Sequence, residues 1–331
     1  MTQILTIGKY FKNKFGEKVY KVPISISGFT CPNIDGTVAK GGCTFCENES
    51  FSPNLTDKSK FKLNLQSIEN PYLDKQLLQL EFQFNATKQQ LENKFGAKKF
   101  IVYFQSFTNT YAPLDTLKAL YEKALSFENV LGLSIGTRTD SITEETLDYL
   151  EKLSKRQLPI YLQNEKMKSS TYEIWVEYGI QSVFDETLIK INRGHNFANV
   201  KEWIEKTKKR NLYVCGHLIF GLPDETQEMM LQTVTQTIEL KIDSIKFHPL
   251  YVTKNTLLAI DFSKGNFIPI NEDLYIDTLI KSIHLLPSNI SISRVSAGID
   301  NDSLLNSSWC KNKHQQMKNI KLALKKEKFY Y

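Results

Sequence analysis

Apolar runs of strand length alternate with amphipathic helical stretches along most of this chain, and few folds accept that order. Val22–Phe29, Lys99–Gln105, Val130–Gly136, Tyr172–Gly179, Leu212–Phe220 and Ser244–Leu250 read as strands. Helical patterns lie between them, over about 71–95, 114–126, 143–156, 200–209 and 225–240. Leu117, Leu120, Tyr121 and Ala124 form one apolar stripe, the mark of a helix buried on one face. Thr143 before Glu144 and Glu145 reads as a helix cap with acids in the first turn. Strands and helices alternating at this spacing mean βα units and a parallel sheet. Right-handed crossovers then bring every strand's C-terminal end to one face. Six units predict an α/β fold, an open partial β/α barrel, with a doubly wound sheet as the alternative.

The 331 residues suffice for a large core. We place the barrel, with the N-terminal segment, at residues 1–287. A C-terminal extension follows at 288–331, with an extended segment from about Asn289 and a helix over 312–328, as a candidate for substrate contact. Gln157–Ser170 is longer than an ordinary connector and reads as an insertion or a short extra strand. No run is long and apolar enough to span a bilayer. Met1–Lys21 lacks the apolar core and cleavage site of a signal peptide. A cytoplasmic protein with no membrane partner is therefore expected. A net charge of +6 permits a polyanionic partner without requiring one.

Five cysteines, an odd number, argue against a disulfide framework. Three of them fall in one glycine-rich loop, GFTCPNIDGTVAKGGCTFCENESF, spaced Cys31-x11-Cys43-x2-Cys46. Three thiolates hold three irons of a 4Fe–4S cluster and leave the fourth iron open to a ligand. Glycines at 36, 41 and 42 let the backbone curl around such a core. A structural zinc site competes on spacing, but it wants a fourth ligand. Cys215, Cys310, His195 and His217 are available, and none forms a second close pair.

The loop resembles that of the radical S-adenosylmethionine (SAM) superfamily, with Phe45 in the usual aromatic position before the last cysteine. YFQSFTNTYAP (103–113), GLSIGTRTD (132–140), WVEYGIQSVFDETLIKINRGH (175–195), HLIFGLPDET (217–226), IKFHPLYV (245–252) and WCKNK (309–313) extend the likeness. Together they resemble YhcC/MnmL-type proteins, relatives of the Elongator catalytic subunit. SRVSAG (293–298) is a divergent form of that family's late segment.

The resemblance implies a partial (β/α)6 radical SAM barrel, a 4Fe–4S cluster on Cys31, Cys43 and Cys46, and SAM on the open iron. In such enzymes reductive cleavage of SAM yields a 5′-deoxyadenosyl radical that abstracts a substrate hydrogen. Gln105, Ser106, Thr108, Asn109 and Thr110 stand where the superfamily binds the SAM amine, without its usual Gly-Gly-Glu. Ser134, Thr137, Arg138 and Asp140 end the third strand, and Arg138 suits a carboxylate or phosphate. Glu177, Gln181 and Ser182 end the fourth, where a Glu suits the ribose hydroxyls. His217, Phe220 and Gly221 end the fifth, by analogy near the adenine. Lys246, His248 and Tyr251 close the sixth.

Each has a plainer reading. Glu177 and Arg138 pair with each other, Asp140 caps a helix, His248 is a core histidine, Gly221 is a turn residue, Arg193 and His195 shape their loop, and Cys215 packs. Cys310, beside Trp309, either packs or approaches the active site as a hydrogen donor or covalent partner. The branch implies tRNA as substrate, with carboxymethyl removal from the C5 aminomethyl side chain of the wobble uridine. It also implies a reductant such as flavodoxin or ferredoxin. Tyr111 or Tyr251 offers a stacking face for a flipped uridine. Lys318, Lys321, Lys325 and Lys328 make one helical face basic, as phosphate contacts or as a solvated surface. A radical SAM enzyme on a small metabolite or peptide, and a zinc-stabilised nucleic-acid-binding module, are the alternatives. The sequence is silent on oligomeric state.

Overall fold

The computed structural model describes residues 2–47, 63–65, 67, 69–157, 171–299 and 302–331. Its strands are β1 (Thr2–Gln3), β2 (Val19–Ile24), β3 (Lys99–Phe104), β4 (Val130–Thr137), β5 (Glu173–Gln181), β6 (Tyr213–Phe220), β7 (Ser244–Pro249), β8 (Ser291–Arg294) and β9 (Phe329–Tyr330). Strands β2 to β8 form one sheet in sequential order, every pair parallel. The sheet curls into a half-barrel. The short strands β1 and β9 pair with each other and tie the two ends of the chain together.

The helices are α1 (Ile7–Phe15), α2 (Pro32–Asp35), α3 (Leu73–Phe95), α4 (Leu114–Ser126), α5 (Glu144–Ser154), α6 (Asp185–Lys190), α7 (Phe197–Lys209), α8 (Gln227–Glu239), α9 (Leu257–Ser263), α10 (Glu272–Leu285) and α11 (Lys313–Lys326). The predicted stripe of α4 is buried throughout. Thr143 caps α5, its Oγ1 accepting from the Thr146 amide at 3.1 Å. Among the described residues no helix is long and apolar enough to cross a membrane. The stretch 158–170, read above as an insertion, lies outside the described residues.

The six expected βα units are present, β2 to β7 each followed by a helix, and the extended segment after Asn289 adds a seventh strand, β8, paired with β7. One expectation needs correcting: the first strand ends at Ile24 rather than Phe29. Beyond it, glutamines of α3 replace a neighbouring strand. Gln83 accepts from the Ser25 amide at 2.9 Å and donates to the Ser25 carbonyl at 2.8 Å. Gln79 and Gln76 do the same for the amide and carbonyl of Ser27. Buried backbone groups must be paired, and side chains satisfy them here without continuing the ladder.

Alternation along each strand sorts the side chains into two layers. One set, including Val22, Val102, Leu133, Val176, Val214 and Phe247, joins the apolar core packed with the helices. The other faces the barrel interior. At the start of the strands this inner face is apolar. Helix α1 seals it by packing Phe11 against Ile101, Leu131, Trp175 and Cys215. One layer higher the inner face turns polar, with Lys21, Tyr103, Glu177, His217, Lys246 and Arg294.

Candidate functional site

The cysteine loop follows β2 and crosses the C-terminal mouth of the half-barrel, where a cavity of about 640 Å³ opens. Cys31, Cys43 and Cys46 all border it. Cys31 is the cap residue of α2, and Pro32 opens that helix with no amide to satisfy. The turn 191–195 braces the loop from below. Asn192 donates to the carbonyls of Lys40 and Gly42 at 3.0 and 2.7 Å. Asn33 donates to the carbonyls of Asn192 and Arg193 at 2.5 and 3.0 Å.

Two buried arginines reach the sulfurs. Arg138 Nη1 lies 3.7 Å from Cys31 Sγ, and Arg193 Nη1 lies 3.7 Å from Cys43 Sγ. Arg138 grips Asp140 in a fork, Nε to Oδ1 at 2.8 Å and Nη2 to Oδ2 at 2.6 Å. It does not pair with Glu177. Arg138 Nη2 also donates to the Arg193 carbonyl at 2.7 Å. His195 Nδ1 stands 3.3 Å from Asp140 Oδ2. Burial, outweighing the Asp140 carboxylate, holds His195 down at about 4, so it is neutral at pH 7. Against burial, His195 and Arg138 keep Asp140 ionised, well below the usual carboxylate range.

The floor is built around Glu177, which is 1% exposed. Its Oε1 accepts from Lys21 at 2.5 Å and from Ser134. Its Oε2 accepts from His217 at 2.8 Å and from Lys246. Lys246 donates onward to the Tyr103 hydroxyl at 3.0 Å. Burial alone would raise this carboxyl, but Lys21, Lys246 and His217 hold it well below the usual range. Burial and the Lys246 charge press His217 down to about 4.

Of the residues singled out in sequence, Phe45, Gln105, Thr108, Thr137, Arg138, Glu177, Gln181, His217, Lys246 and His248 line the cavity. Gln181 does so from a left-handed backbone (φ 69°), and its buried Oε1 has no hydrogen-bond partner among the described residues. Such strain in a non-glycine residue clusters at ligand sites. The others support the lining. Ser106 bonds to Ser25 at 2.6 Å, Asn109 fixes the Gly136 carbonyl at 2.9 Å, and Ser134 lies beneath Glu177. Phe220 is on the opposite face of its strand, against Phe247 and Tyr275. Gly221 is a turn residue at φ +87°, where a Cβ would meet Ile270 at 2.6 Å. Cys215 packs in the apolar seal, 0% exposed.

Cys310 is outside the cavity lining, buried with Tyr251, Ala297 and Ile299. Its thiol sits 3.8 Å from Gln316 Nε2, and burial pushes it up to about 12. A Cβ at Gly298 would lie 1.8 Å from the Cys310 carbonyl oxygen, so glycine there lets the strand-end loop rest directly on Cys310. That loop brings residues the sequence reading missed. Arg294 at the end of β8 and Ser296 and Gly298 beyond it border the cavity, and Tyr103 and Ile219 enter from β3 and β6. Period two was the available signal, since Tyr103 shares a face with Gln105, and Ile219 with His217.

The three thiols suit a cluster better than a single zinc ion. Zinc–sulfur bonds of about 2.3 Å draw their sulfurs to within about 4 Å of one another. Among the described residues one trio of potential ligand atoms lies within 4.8 Å, and it is Glu177, Cys215 and His217. Cys31, Cys43 and Cys46 do not all come within that distance of one another, which suits a multi-iron core better than one ion. Burial, with the neighbouring Cys43 and Cys31, raises the Cys46 thiol to about 12. A bound metal centre needs that thiol as the thiolate and, being cationic, favours it. The Glu177 trio is already neutralised by Lys21 and Lys246 and has no need of an ion.

A parallel half-barrel with three thiols over its mouth defines a class of α/β proteins built to carry an iron–sulfur cluster. The family described as the radical SAM superfamily matches residues 36–236, and the radical SAM C-terminal domain matches 242–326. Protein YhcC of Escherichia coli K12 is 35% identical over 300 residues, covering 91% of this chain and 85% of YhcC. The chain belongs to the radical SAM superfamily, whose cofactors are a 4Fe–4S cluster and SAM. The tRNA uridine(34) acetyltransferase of Methanocaldococcus infernus is 25% identical over 172 residues, 51% of this chain and 29% of that enzyme. The solved structure of the archaeal Methanocaldococcus infernus Elp3 lacking residues 1–46 has the same fold. Its TM-score is 0.62 at 18% identity, covering 93% of this chain and 63% of that one.

Proposed function

We propose that this chain is a radical SAM enzyme that modifies tRNA in the cytoplasm, removing a carboxymethyl group from the C5 aminomethyl side chain of the wobble uridine. The observation that carries the reading is one cavity of about 640 Å³ with three thiols at its mouth and a polar, cationic floor. The likeness to a tRNA uridine(34) acetyltransferase supports the substrate class.

Cys31, Cys43 and Cys46 would hold the cluster, and Arg138 and Arg193 would donate to the sulfurs of Cys31 and Cys43. When bound, the cluster and SAM supply one-electron cleavage of the sulfonium and hydrogen abstraction, driven by a reductant such as flavodoxin or ferredoxin. The protein positions and shields. Gln105, Thr108, Thr137 and Gln181 present amide and hydroxyl groups around the mouth for SAM, with Phe45 beside the last cysteine. Tyr251 borders the same space and offers a ring face for the base.

Two measurements test this. Anaerobically reconstituted protein is expected to be brown, with four irons expected per chain, and Cys43→Ser is expected to lose both colour and iron. Mass spectrometry of total tRNA nucleosides from a deletion strain is expected to show the carboxymethylated wobble nucleoside accumulating. An unchanged nucleoside profile refutes the tRNA reading.

A further inference from the structure

The cavity floor holds more positive charge than the protein neutralises. Glu177 is the one carboxylate among the described residues lining either the main cavity or the chamber beside it. That second chamber, about 220 Å³, lies between β2, β3 and β8 and is bordered by Lys21, Tyr103, Gln105, Lys246 and Arg294. Lys21 and Lys246 share Glu177. Arg294 borders both spaces and pairs with no carboxylate among the described residues. Three cations against one anion leave two positive charges unmatched.

The cysteine end does not claim them. It has its own cations, Arg138 on Asp140 and Cys31, and Arg193 on Cys43. SAM does not answer them either, because it brings no net negative charge: its carboxylate is offset by its amine, and its sulfonium is positive. The neighbouring groups register the surplus. Burial first, then the Arg294 charge, pushes His248 well below its ordinary value. Unpaired cations that line a cavity favour a ligand that brings the missing negative charge.

We infer that Arg294 and Lys246 form a subsite for a carboxylate of the substrate, with the Tyr103 hydroxyl beside them. A carboxylate ending a short side chain fits this place. A backbone phosphate, flanked by a sugar on each side, is the bulkier fit for a chamber of about 220 Å³. Arg294 offers the planar fork that grips a carboxylate through two hydrogen bonds, and its exposure leaves that fork open. That the carboxylate belongs to the C5 side chain of the wobble uridine rests on the reading above. The anion site itself does not.

The test uses the full-length reconstituted protein. Difluoroacetate, followed by fluorine NMR line broadening, is the small probe. Wild type is expected to bind it, Arg294→Gln about tenfold more weakly, and Arg294→Lys in between. The second probe is a pair of anticodon stem-loops that carry the carboxymethylaminomethyl uridine or its neutral carboxamide. Wild type is expected to prefer the carboxylate RNA about tenfold, and Arg294→Gln to hold both alike. A probe that ignores wild type, or that binds Arg294→Gln equally well, overturns the subsite. Wild type holding both RNAs with equal affinity overturns its use for this substrate. If neither RNA binds while the probe retains its Arg294 dependence, the subsite stands and the tRNA reading falls.

Discussion

Glu177 receives donors from four other strands: Lys21 of β2, Ser134 of β4, His217 of β6 and Lys246 of β7. A buried carboxylate stays ionised only when it is paired and hydrogen-bonded. Removing its charge while leaving two lysines in place is costly. Glu177→Gln is expected to destabilise the fold by about 3–5 kcal/mol in urea unfolding. His217 adds a pH dependence of definite sign. The folded protein holds it near 4, below its unfolded value of about 6.5. Between those values the unfolded chain binds a proton the folded one refuses, so stability is full above about 6.5 and falls as the pH drops toward 4. His217→Gln is therefore expected to lose less of its urea midpoint between pH 7 and pH 5 than wild type, and an equal loss in both counts against this account. The sequence showed Glu177 and His217 as strand-end candidates but not their partners. Lys21, in YKVPI, was not singled out, because a strand buried on both faces does not reveal which face points inward.

At the scale of elements, the helix α1 separates the polar floor from solvent below. Phe11 and Tyr10 meet Trp175 edge-on, with ring centroids 6.2 and 5.6 Å apart, and Tyr213 stacks on Trp175 at 4.8 Å. Phe11→Ala opens this seal and is expected to cost about 3–5 kcal/mol in unfolding free energy. Thr143→Ala, which removes only the cap of α5, is expected to cost about 1 kcal/mol. A Phe11 effect no larger than the cap effect shows that α1 is a loose strap rather than a plug. The strand–helix alternation, the stripe of α4 and the cap of α5 were legible because each is a local pattern. Helix α1 was not assigned, since IGKYFKNKF is short and alternates lysines with aromatics. Its burial depends on the open end of a barrel that no local window contains. Strand β8 was read as an extension for a related reason, because its four residues carry too few apolar positions to declare a place in the sheet.

Across the whole molecule, the last helix begins at the cavity that the cysteine loop and the polar floor share. Lys313 borders the cavity and opens α11, which has five lysines and no acid along its length. Gln316, Ile320 and Leu324 face inward. Lys318, Lys321 and Lys325 are exposed on the other side, none of them in an ion pair among the described residues. Exposed lysines need no carboxylate partner, so what sets α11 apart is its place: a helix with no acid along its length, beginning at the cavity. If nucleic acid runs along it, each phosphate contact contributes about −0.9 for duplex or −0.7 for single-stranded RNA to the slope of log affinity against log salt. Replacing Lys318, Lys321 and Lys325 with glutamine is then expected to weaken tRNA binding at low salt and to flatten that slope by about 2. Cluster content and urea stability are expected to stay as in wild type, since the three side chains touch neither the cysteine loop nor the core. A slope unchanged by the triple substitution assigns the phosphates to another surface and leaves α11 a solvated helix, as its sequence alone equally allowed.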